Sequence, residues 1–159
     1  MSQKPSVSLV ELSFFVHATE DPSKALEAVK RIIPKSYSNT ITFRRSNLKG
    51  HHGNPINHFS SKIRDKDVAK LIIEEIAAKL EPKDKLHLNS QIASHIDDKS
   101  SLYLRLDKQS AYLGEAKTGC SDPIHIRIKL KLPSKSLDKM VEAYRSLNLI
   151  PRRGVSRCL

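Results

Sequence analysis

The stretch "DPIHIRIKLKLP", residues 122–133, decides the fold. Ile124, Ile126, Ile128, Leu130 and Leu132 alternate with His125, Arg127, Lys129 and Lys131. Successive side chains of a strand leave on opposite sides, so a period of two describes a β-strand with one apolar and one cationic face. The apolar face needs a core. The cationic face is met either by water or by a polyanion, and the choice between them is the functional question.

Two other segments alternate in the same way. Residues 7–18 place Val10, Leu12, Phe14 and Val16 on one side and Glu11, Ser13, Phe15 and His17 on the other. "SLYLRLD", 101–107, sends Leu102, Leu104 and Leu106 inward and Tyr103, Arg105 and Asp107 outward. Clean alternation belongs to a sheet covered on one face, whereas strands buried on both faces read as unbroken apolar runs. "NTITFRR" (39–45) and residues 56–63 read as two further strands, a hairpin whose long connection holds "GHHGNP" (50–55).

Helical spacing fills the intervals. Asp21 and Pro22 supply an N-cap and a first helical residue, Ala25, Leu26, Val29, Ile32 and Ile33 form a stripe, and Pro34 ends it. Residues 65–80 repeat Val68, Ile72, Ile76 and Leu80, widened by Leu71 and Ile73. Residues 83–96 carry Leu88, Ile92 and Ile96, and a last helix over 137–147 carries Met140, Val141 and Tyr144. The expected order is β-α-β-β-α-α-β-β-α: an α+β fold, a mostly antiparallel sheet with helices on one face. Residues 1–150 are expected to form one domain, followed by a basic tail, 151–159.

The chain has 159 residues, 38% of them hydrophobic. At that length folding hides roughly 68–70% of the unfolded surface, so no disulfide or metal is needed. Cys120 and Cys158 lack metal-type spacing, and two cysteines fit a reducing cytosol better than a secreted scaffold. No apolar run approaches the roughly 20 residues of a membrane helix. Glu11 interrupts the N-terminal apolar stretch, which does not read as a signal peptide. A soluble cytoplasmic protein is expected. Lys and Arg total 28 against 17 Asp and Glu, a net charge of +11. Heat adaptation enriches Glu alongside Lys, and here the acids do not keep pace. Nor does any helix set Trp, Phe or Leu against a cationic face as a membrane-surface helix does. The excess favours nucleic acid.

The candidate site is the uncovered face: His125, Arg127, Lys129 and Lys131, with Arg105, Tyr103 and Phe15 beside them. Cations neutralise phosphates and aromatic faces stack on unpaired bases. A second basic element, Arg44, Arg45 and Lys49, stands at the start of a loop whose Gly50 and Gly53 permit close backbone approach to a phosphate. Its spacing is not that of a Walker or dinucleotide loop. Catalytic patterns are weak. His51, His52 and His58 have no partner at metal-ligand spacing, and there is no GxSxG elbow. Asp97, Asp98 and Asp107 flank one strand, where acids more often form turns than hold a metal for phosphodiester cleavage. No catalytic residue, metal or cofactor is assigned.

Four ordered stretches, "FFVHATED" (14–21), "GHHGNPI" (50–56), "LYLRLDKQSAYLGE" (102–115) and "DPIHIRIKL" (122–130), resemble an archaeal family of small RNA-binding-domain proteins. That family is described as predicted exosome-associated subunits with a fold similar to ribosomal protein L5. The resemblance spans about 7–147. It implies an open antiparallel sheet, an RNA-related role and no known active site. The family carries a tyrosine in its Gly-His loop where this chain has His52, so no stacking role is carried over to that loop. The function expected is non-catalytic RNA binding, as an accessory to RNA processing or degradation. The alternative is a dimeric scaffold that binds protein through the open sheet face or edge.

Overall fold

The computed structural model describes residues 6–49, 55–97, 99–132 and 136–151. Five strands form one sheet: β1 (Ser6–His17), β2 (Arg44–Lys49), β3 (Pro55–Ile63), β4 (Ser101–Leu106) and β5 (Ile124–Lys131). Their order across the sheet is β2-β3-β1-β5-β4, and every pairing is antiparallel. The helices are α1 (Pro22–Arg31), α2 (Lys66–Lys79), α3 (Pro82–Ser90), α4 (Ile92–His95), α5 (Lys108–Tyr112) and α6 (Leu137–Ser146). The fold is α+β with an open antiparallel sheet, as the alternating strands require.

The core forms where the apolar sides of the strands meet the helix stripes. Val10, Leu12 and Phe14 of β1, Ile126 and Ile128 of β5 and Leu102 and Leu104 of β4 are buried with Ala25, Val29, Ile72, Ile76, Met140 and Tyr144. Asp21 caps α1 by accepting the Ser23 amide at 3.0 Å, and Asp65 caps α2 by accepting those of Asp67 and Val68. Burial keeps the Tyr144 phenol protonated far above its ordinary range, and its hydroxyl is shared between the carbonyls of Ser100 (3.0 Å) and Ile128 (3.1 Å).

Four expectations change. The strand expected over 39–45 begins only at Arg44. Residues before it are held in turns, with the Ser38 and Thr40 hydroxyls donating to the carbonyls of Lys35 and Tyr37. Phe43 packs edge-on against Phe14 at 5.8 Å, so its apolar character serves the core rather than a ladder. Leu71 is 42% exposed, and Ala69 and Ala77 complete the α2 stripe instead. The helix expected over 83–96 breaks at Gln91 (φ −119°, ψ 19°) into α3 and α4, and Ile96 leaves helix to bridge Leu102. The segment after β4 holds an unexpected helix, α5, capped by the Asp107 carboxylate on the Ser110 amide at 3.0 Å.

Candidate nucleic-acid interface

Register turns the alternation into a surface. One transverse row of the open face runs Arg44, Ser60, Ser13, His125, Arg105 from β2 to β4. A parallel row runs Lys62, Glu11, Arg127, Tyr103. Four strand spacings of about 4.8 Å make the first row roughly 19 Å long. Farther along β5, Lys129 lies between Leu9 and Ser101, and Lys131 lies opposite Ser6. A bulge between Val7 and Leu9 shifts the β1 register and brings Leu9, not Ser8, beside Lys129.

The cations on this face are not equal. Arg127 lies 3.8 Å from the Glu11 carboxylate and its Nε donates to the Ser101 hydroxyl at 3.4 Å, so it is partly neutralised and held in place. Among the described residues, no carboxylate comes within ion-pair distance of Arg44, Lys62, Arg105, Lys129 or Lys131. Burial, followed by the charges of Arg105 and His58, holds the His125 imidazole below its ordinary 6.5. At neutral pH His125 is an uncharged hydrogen-bonding group between cations.

Two aromatic positions stand among them. Phe15 lies directly across from His58, with ring centroids 4.8 Å apart and a 45° tilt, forming a ledge near the end of β1. Tyr103, 44% exposed on β4, is tethered through its hydroxyl, which donates to Asp97 at 2.9 Å. That hydrogen bond raises the phenol's pKa. Desolvation pushes the Asp97 carboxyl up, but the Ser101 amide, the Tyr103 hydroxyl, the Lys99 amide and the Arg127 charge outweigh it and hold it below the ordinary carboxylate range.

The second basic element does not join this surface as a unit. Arg44 points to the open side, but Arg45 and Lys49 share the helix side of β2 with Asn47. The Arg45 guanidinium rests over the Phe59 ring at 5.7 Å and its Nε donates to the Asn57 side chain at 3.2 Å. Consecutive strand residues diverge. Residues 50–54, with the loop glycines and His51 and His52, lie outside the described residues, as do Asp98 and the tail from 152 onward. Asp97 and Asp107 sit at opposite ends of β4, separated by roughly 20 Å of strand, and each is engaged by nearby amides.

Sequence reading missed Lys108. Its side chain is 4% exposed, and its ammonium donates to the Phe15 carbonyl at 2.6 Å, to Asp122 at 2.7 Å and to Glu20 at 3.3 Å. His17 lies 3.4 Å from the same Asp122 carboxylate, whose residue takes a positive φ of 47°. His17, Glu20 and Asp122 lie close enough to hold a cation, and the Lys108 ammonium is that cation. Three of the quoted stretches meet at this one nitrogen. A lysine between Asp107 and Gln109 gives no sign of burial, so only the fold reveals it. The lock fixes the end of β1 that carries the Phe15 ledge.

The model of a family described as RNA binding matches residues 9–130. The chain belongs to this RNA-binding family. The protein named RNA-binding protein PAB1135 from Pyrococcus abyssi is 33% identical over 147 residues, covering 91% of this chain and 96% of that one. Among solved structures, this family member is similar to protein AF2318 from Archaeglobus fulgidus, with 29% identity, a TM-score of 0.75 and coverage of 89% of this chain and 99% of that one. It is also similar to Mth689 from Methanothermobacter thermautotrophicus, with 25% identity, a TM-score of 0.72 and coverage of 89% and 98%. Both are described as DUF54 proteins. Among the described residues, no helix of the RNA-binding family member is long and apolar enough to cross a membrane.

Proposed function

We propose that this protein binds RNA, without catalysis, across the open face of its sheet. Phe15, His58 and Tyr103 stack on unpaired bases while Arg44, Arg105, Arg127, Lys129 and Lys131 meet phosphates. The observation that carries this reading is a run of cations interleaved with two fixed aromatic positions, in which Arg44, Arg105, Lys129 and Lys131 have no carboxylate partner among the described residues and Arg127 alone leans on Glu11. Solvation alone asks for charge and has no need of tethered rings. The role that follows is that of a cytoplasmic accessory presenting RNA to a processing or degradation machinery, built on a single domain.

The dimeric scaffold is the weaker reading. Among the described residues β2 pairs only with β3, so its outer edge is available to a second copy. Antiparallel self-pairing of "RRSNLK" would set Arg44 against Lys49, and like charges directly opposite are destabilising. Cationic side chains on an edge strand serve rather to discourage pairing.

The test is binding of a fluorescent single-stranded RNA across a salt series. Four to six phosphate contacts give a log–log slope of about −3 to −4, and replacing Arg105, Lys129 and Lys131 together by Gln lowers both affinity and slope. A flat salt dependence, or unchanged affinity in that variant with its melting curve intact, removes the site. Light scattering of the free protein separates the scaffold reading, which requires a stable oligomer.

A further inference from the structure

Where the open face runs out at the β2 edge, a half-open cleft of about 640 Å³ is lined by Arg44, Ser46, Ser60, Lys62, Arg64 and Glu11. Three lining residues are cations and one is an acid, and that acid is already directed at Arg127. Arg44, Lys62 and Arg64 have no carboxylate within ion-pair distance among the described residues. The Ser46 and Ser60 hydroxyls add short donors between the long cationic ones. A concave wall dominated by one sign focuses its field, so the cleft attracts an anion more strongly than the same charges would on a flat strand. The volume suits a nucleotide rather than a bare inorganic ion.

We infer that this cleft binds the terminal phosphate monoester of an RNA chain. The inference rests on the RNA-binding reading of the face and goes beyond it by naming a chain end as the ligand. An internal phosphodiester carries a single charge, which the open strands already accommodate. A monoester carries about −1.5 to −2 at neutral pH, a charge that the three cations of the cleft can meet even with Glu11 beside them. Position agrees: β2 is the last strand, so an RNA lying across the rows reaches the cleft as it leaves the sheet. Arg64 follows β3 and belongs to neither open-face row, so it distinguishes the cleft from the face.

The experiment compares one short RNA in three forms, 5′-phosphorylated, 3′-phosphorylated and hydroxyl at both ends, by fluorescence anisotropy at fixed salt. One phosphorylated form is expected to bind about tenfold tighter than the hydroxyl form, as charge-assisted hydrogen bonds to a dianion require, and which form it is identifies the end. Arg64→Gln, an exposed substitution checked by thermal melting, should cut that preference to about threefold or less and leave the hydroxyl form within about twofold of the parent. Equal affinity for all three forms overturns the cleft assignment and leaves the face reading standing, as does a preference that survives Arg64→Gln. Failure of every form to bind overturns both.

Discussion

Lys108 and His125 show how far a single residue's role depends on its surroundings. Lys108 is buried against two carboxylates and a main-chain carbonyl, so Lys108→Met leaves Glu20 and Asp122 facing each other with the His17 imidazole in place of an ammonium. Both acids keep partial solvent access, which places the cost at roughly 2–3 kcal/mol, below the about 3–5 kcal/mol of a fully buried pair. A urea melt measures it, and loss of less than about 0.5 kcal/mol, an ordinary surface effect, would mean that the lock is decorative. His125 makes a prediction about pH. Its folded pKa is depressed by burial and by the Arg105 and His58 charges, so its stabilisation is present above the unfolded value of about 6.5 and is lost as pH falls through the folded value. Thermal melts should show a loss of stability below pH 6.5 that His125→Gln reduces. Phosphate beside the ring favours the imidazolium, so RNA affinity should rise from pH 7 to pH 6 in the parent and rise less in that variant.

Elements differ in how much of their reason is local. β5 and β4 are legible from their own residues, because alternation and pleat share one period. β2 is not, since its six residues are all exposed and carry no apolar alternation, and Ile41 and Phe43 before it look more strand-like than it does. The outer edge of β4 is closed by a segment that sequence reading treats as a loop. The Asp107 amide donates to the Lys117 carbonyl at 2.7 Å, and the Gly119 amide donates to the Arg105 carbonyl at 3.2 Å. A Cβ on Gly119 would stand 2.9 Å from the Asp107 Cβ and 3.2 Å from its Cα, where nothing flexible can give way. Gly119→Ala should therefore cost about 1–3 kcal/mol, the range for overpacking, lowering the melting temperature by roughly 2–4 °C for each kcal/mol. A melting temperature within a degree of the parent would show that the segment tolerates displacement.

The chain carries a net charge of +11, and the described sheet has one side closed by helices and one open to solvent that bears Arg44, Lys62, Arg105, Arg127, Lys129 and Lys131. Single-stranded RNA at 100 times its dissociation constant should stabilise the native protein by about 2.7 kcal/mol, a rise of roughly 5–10 °C in melting temperature. The rise should vanish at high salt as counterion release is suppressed. Thermal shift in low and high salt checks this, and an RNA-induced shift that ignores salt would point to a site other than the cationic face.

By itself the sequence determined the two-sided strands, the cap at Asp21, the α+β class and the cationic character of one face. Each of these is a local periodicity or a local hydrogen bond, and it survives whatever the rest of the chain does. Only the tertiary structure decided which cations share a surface. Strand register separates Arg44 from Arg45 and gathers Lys62, Arg127 and Tyr103 into one row from three distant segments. Burial of Lys108 and formation of the cleft at Arg64 are likewise properties of chain segments brought together. Charge, distance and solvent access between such segments come into being when the sheet assembles, because no local spacing encodes which strand will lie beside which.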